Sequence, residues 1–139
     1  MRKLALSAAA LVLVFSASVG EAFAQDGRSQ QRARVVEAAK AKITENFRHP
    51  DEARLRNVEV WDIGGGGQTF HVCGEINGAN AYGATTDYRR FAISVSRNGS
   101  SYSGIGGILE SPEDPHAATI ASIIDQACST SRFQESWRF

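Results

Sequence analysis

Residues 68–76 read QTFHVCGEI. Phe70, Val72, Gly74 and Ile76 fall on one side of an extended chain, and His71, Cys73 and Glu75 on the other. The segment therefore predicts a β-strand with one apolar face and a second face that carries a cysteine. Before it, Gly64 to Gly67 is a run of four glycines that reads as a flexible hairpin tip. Before that, Arg56 to Ile63 alternates Val58 and Val60 with Glu59 and Trp61, a second strand. On the other side, Tyr88 to Arg97 places Phe91, Ile93 and Val95 against Ala92, Ser94 and Ser96. Asn98-Gly99 suits a two-residue turn, because both residue types accept positive φ. A weaker strand, Ser101 to Ile108, follows, with three glycines in it.

Helices flank the strands. From about Gln31, Val36, Ala39, Ile43 and Phe47 recur at spacings of three and four, which puts them on one face of a helix that Pro50 stops. Ser111-Pro112-Glu113-Asp114 offers a cap, a first-turn proline and two acids, so a last helix is expected to open there. Ala117, Ile120, Ile124 and Ala127 supply its apolar face. The tail from Ser129 holds Phe133, Trp137 and Phe139 and is expected to fold back on the body. The order predicts an α+β domain: N-terminal helix, four-stranded antiparallel sheet, C-terminal helix.

The first 24 residues follow a different logic. Arg2 and Lys3 precede an apolar stretch from Leu4 to Phe15, and Ala22-Phe23-Ala24 is a small-x-small site. That order predicts a secretory signal at 1–24, cleaved between Ala24 and Gln25, with one domain at 25–139. The apolar stretch is too short and too often interrupted for a membrane span of about 20 residues. The residue directly after the cleavage site is Gln25 and not a cysteine that could be acylated, so no membrane anchor is expected after processing.

Export bears on the two cysteines, Cys73 and Cys128. In an oxidising compartment two thiols allow one intramolecular bond. A Cys73–Cys128 bond would hold the last helix over the His71/Cys73/Glu75 face and leave the first helix to cover the Phe70/Val72/Phe91/Ile93 face. The alternative is both helices on one face, with the strand phasing off by one residue.

Composition narrows the function. The 139 residues carry 15 basic and 15 acidic side chains. Neutral balance gives no reason to expect a nucleic acid as partner. Arg28, Arg32, Arg34, Lys40, Lys42, Arg48, Arg54 and Arg56 make the N-terminal third basic. That charge reads as a solvated helix surface or as contact with an anionic envelope polymer or lipid.

Residues 70–91, FHVCGEINGANAYGATTDYRRF, resemble a pattern of small exported bacterial proteins of unassigned function, roughly VCGEVNAKN followed by a GGY-like segment. Residues 49–58, HPDEARLRNV, resemble the D-P-x-S-A-x-F-x-N-V segment of the same family. Ala84-Thr85 stands where the pattern has Gly-Tyr, and Asp87 where it has Gly. The resemblance implies a bacterial exported protein and supplies no activity.

The candidate surface is the stretch Asn77 to Asp87, expected as a loop longer than an ordinary hairpin connection. Its candidate binding residues are Asn77, Asn80, Tyr82 and Asp87, with Glu75 and Arg89 at its edges. Asparagine amides also bond their own backbone in turns, a local role that competes with binding. His71, Cys73 and Glu75 have the right donor types for a metal, but they lack a further converging ligand and Cys73 is expected to be oxidised. No metal and no cofactor are expected. The thiol chemistry of Cys73 with His71 or His116 is excluded on the same ground.

Three functions follow. The first is an exported, monomeric, non-catalytic binding module that meets an envelope protein or small ligand through residues 77–87. The second is an envelope hydrolase that uses Glu75, raised in pKa by burial, with Asp87 nearby. The third is a purely structural envelope component.

Overall fold

The computed structural model describes residues 18–79, 85–129 and 138. Residues 1–17 of the stretch expected to be an export signal, Asn80, Tyr82, and Phe133, Trp137 and Phe139 of the tail lie outside the described residues. Helix α1 spans Ser18–Ile43, followed by a short 3-10 turn at Pro50–Glu52. The strands are β1 (Arg54–Asp62), β2 (Thr69–Ala79), β3 (Thr85–Asn98) and β4 (Ser101–Leu109), and helix α2 spans Ala117–Ala127. The strands form one antiparallel sheet in sequence order, β1-β2-β3-β4. The fold is α+β with a helix at each end of the chain, as expected.

Register explains why the sheet has two different faces. Phe70 stands opposite Val95, Val72 opposite Ile93, and Val60 opposite Val72. These residues are fully or almost fully buried together with Val35 and Ala39 of α1. Each of the Val, Ile and Phe side chains among them contributes about 1.5–3 kcal/mol when withdrawn from water. The second face carries Cys73 opposite Ala92, and there Cys73 is bonded to Cys128 at the end of α2, with Cα atoms 5.9 Å apart. Ile124 of α2 is buried. The helices therefore lie on opposite faces, in agreement with the strand phasing.

Three boundaries differ from expectation. Helix α1 begins at Ser18 rather than near Gln31. Residues 24–30 are all exposed, and apolar periodicity registers a helix only where one side is buried. Its buried stripe is also centred on Val35 and Ala39, with Val36 and Ile43 at the margin. Because the helix ends at Ile43, Phe47, expected on its face, packs on the core from the turn beyond.

The second difference is in the expected loop. Strand β2 continues through Asn77 and Gly78 to Ala79, and β3 begins at Thr85, with Gly78 paired to Thr86. Residues 77–79 and 85–87 are therefore strand, not loop. Gly78 makes this possible, since a Cβ there would lie 2.7 Å from the Phe47 ring. A glycine that reads as a turn residue here admits an aromatic side chain.

The third is α2, which begins at Ala117 instead of near Pro112. A second proline, Pro115, disfavours helical geometry at Asp114. Residues 111–116 turn instead, with Asp114 N–H donating to Ser111 O and Asp114 Oδ1 accepting from His116 N–H at 2.7 Å.

The glycines of β4 have separate uses. Cβ atoms at Gly104 and Gly107 would lie 2.5 Å from Lys42 Cβ and 3.0 Å from Ile43 Cδ1, so α1 packs almost directly on the strand. Gly106, at φ 58°, takes up the register shift between Ile93 and Ser94 of the partner strand. The free edge of β1 is met by its own chain: Arg32 Nη2 donates to Val58 O at 2.9 Å, and Arg138 bridges to Trp61.

Candidate functional site

A row of alternating charges crosses the second face of the sheet. Strand pairing sets Arg56 of β1 opposite Glu75 of β2, and Glu75 opposite Arg90 of β3. Glu110, immediately after β4, bonds to Arg90 at 2.9 Å, and Arg90 also pairs with Asp125 of α2. Cross-strand neighbours of opposite sign attract at this spacing.

Glu75 is the best-held member. Arg56 donates to both of its oxygens, Nε to Oε2 at 3.0 Å and Nη2 to Oε1 at 3.2 Å. Asn57 Nδ2 adds a bond of 2.6 Å to Oε2. Asn57 reaches it from the left-handed region, φ 52°, at the irregularity between Arg56 and Glu59. Tyr88 completes the cluster, its ring centre 3.8 Å from the Arg56 guanidinium carbon.

The electrostatics follow from these bonds. The hydrogen bonds from Arg56, then from Asn57, hold the Glu75 carboxyl below its ordinary value of 4.5. The bond from Arg90 does the same for Glu110. Arg90 is raised in turn, by Glu110 first and Asp125 second. The elevated Glu75 expected beside the last helix is replaced by a depressed one, because bidentate charge pairing outweighs desolvation here.

The other expected residues are spread out. Asn77 Oδ1 accepts from Arg54 N–H at 3.0 Å, the local backbone role, across strands. Asp87 is exposed in β3. Arg89 stands opposite Ile76, with its Nε buried and making no hydrogen bond among the described residues. Glu75 and Asn77 are two positions apart on β2 but do not share partners.

Donor atoms of His71, Cys73 and Cys128 lie within 4.8 Å of one another. Both sulfurs are taken up in the disulfide, and metal binding or nucleophilic attack requires thiolate. Among the described residues no helix is long and apolar enough to cross a membrane.

No family model matches the chain, and no curated protein or solved structure is significantly similar to it. Residue spacing did not point to Arg56, Asn57, Tyr88 or Arg90. They join Glu75 through strand register. Arg56 and Glu75 are 19 positions apart in sequence, and the pairing of Trp61 with His71 around the glycine tip brings them together.

Proposed function

We propose that the chain is a small exported binding protein of the bacterial envelope, acting through contact rather than turnover. Residues 1–24 serve as its removable export signal, and the mature protein starts at Gln25. The observation that carries the non-catalytic reading is the state of Glu75. Its oxygens are engaged by Arg56 and Asn57 and it is held charged, whereas a general acid at neutral pH needs a carboxyl displaced upward. The Cys73–Cys128 disulfide supports export, because such bonds persist in oxidising compartments.

The contact surface is the β2–β3 hairpin end, where Asn77, Asp87 and Arg89 flank the segment that holds Asn80 and Tyr82. The test is crosslinking of the tagged exported protein in an envelope extract, comparing wild type with Asn80→Ala/Tyr82→Ala. A discrete partner or ligand lost from the double variant is the expected result. Identical profiles would remove the hairpin from the proposal. A turnover abolished by Glu75→Gln would replace it with the hydrolase reading.

A further inference from the structure

At the end of the sheet opposite the β2–β3 connection, α1 passes beside the β3–β4 hairpin and the glycine turn at 64–67. Gly27, Gln30, Gln31 and Arg34 of the helix there face Arg97 and Tyr102 of the strands across a cleft of about 270 Å³. That volume lies just below the usual range for drug-sized ligands and suits a small one.

Its donors are organised. Arg97 Nε donates to Gly99 O at 2.7 Å, and the guanidinium carbon sits 5.9 Å from the centre of the Tyr102 ring. These contacts hold the charged head in place before any ligand arrives, which reduces the entropy lost on binding. Gly67, at φ 66°, leaves room beside it: a Cβ there would lie 3.3 Å from Gln31 Nε2 and 3.9 Å from Arg97 Nη1. An amide and a guanidinium thus converge on one glycine.

The charge is unbalanced. Arg56, Arg90 and Arg138 each have a carboxylate partner, but among the described residues no carboxylate pairs with Arg34 or Arg97. Like charges brought to one cleft repel, and a bound anion relieves that repulsion. A carboxylate has two oxygens and is satisfied by one guanidinium fork. A tetrahedral oxyanion with three terminal oxygens can accept from two guanidinium groups and an amide at once.

We propose that this cleft binds a small phosphate-type oxyanion, with Arg34 and Arg97 as its charged anchors and Gln31 as a neutral donor. The site is at the far end of the sheet from the β2–β3 hairpin and does not depend on what that hairpin contacts.

Calorimetric titration of the disulfide-bonded full chain with inorganic phosphate and with glycerol 3-phosphate, at low salt, tests it. Saturable binding is expected, weakened at least about tenfold by Arg34→Gln or Arg97→Gln, since each removes a charge-assisted donor. Arg34→Lys, which keeps the charge and loses the fork, should fall between wild type and Arg34→Gln. Arg48→Gln, an exposed change near the other end of α1, should leave binding intact. Flotation with phosphatidylglycerol vesicles forms the second arm. No saturable binding of either soluble anion, equal weakening by Arg48→Gln, or binding to vesicles alone would each overturn the proposal. Arg34 is exposed on the helix, so its variants carry the test if Arg97→Gln does not fold.

Discussion

Glu75 of β2 receives two hydrogen bonds from the single guanidinium of Arg56 on β1, one to each carboxylate oxygen. The pair begins a charge row that continues through Arg90 to Glu110 and Asp125. The row ties β1, β2, β3 and α2 together on the face that the apolar core does not occupy.

Acid should dissolve this row. Glu75 and Glu110 are both lowered in the folded state from an ordinary value of 4.5. Their contribution is therefore complete above that value and is lost as pH falls through the depressed folded values. Glu75→Gln should melt below wild type at pH 7, with the gap closing as pH drops below 4.5. A gap that stays constant with pH would show that the charge of Glu75 is irrelevant to stability.

The disulfide closes a separation of 55 residues. Chain entropy assigns such a closure about 4 kcal/mol. With an m-value of about 2 kcal/mol/M, Cys73→Ala/Cys128→Ala should lower the urea midpoint by about 2 M. The intact mass of the disulfide-bonded protein should be two hydrogens below the reduced value.

Gly104 and Gly66 form a matched pair of tests. A Cβ at Gly104 would lie 2.5 Å from Lys42 Cβ, whose position is set by the helix backbone, whereas nothing lies within 4 Å at Gly66. Gly104→Ala should cost about 1–3 kcal/mol by overpacking, and Gly66→Ala should stay within about 0.5 kcal/mol of wild type. Chemical denaturation of both variants checks the contrast.

Removal of residues 1–24 should leave the core undisturbed. Residues 24–30 are exposed throughout, and among the described side chains of the helix the first that is fully buried is Val35. A chain starting at Gln25 should melt within about 3 °C of the full chain. N-terminal sequencing of the exported protein should begin at Gln25.

The strands were legible because their alternation reports burial directly. Phe70, Val72, Phe91, Ile93 and Val95 mark one face, and Cys73 with Ala92 marks the other. The ends of elements were less legible. Asn77-Gly78 has turn chemistry, yet it stays in β2 because Phe47, 31 positions from Gly78, needs the space of an absent side chain. Residues 24–30 of α1 have no buried side to generate a periodic pattern.

The candidate sites were harder still. Glu75 was recognisable as a carboxyl on a strand face, but its neighbours Arg56 and Arg90 decide its charge, and they are reached only through the sheet. Arg34 and Arg97 carried no shared motif. They face one cleft because α1 crosses the β3–β4 hairpin.

Alternation, helical spacing and a single pair of cysteines were enough to indicate the element order and the covalent link, and they favoured placing the helices on opposite faces. These features are local or follow from counting, so one dimension suffices. Partner choice for each charged group depended on register and helix crossing, because electrostatic energy varies with distance in space. Folding sets that distance, and it sent Arg56 and Arg90 to carboxylates while leaving Arg34 and Arg97 facing an open cleft.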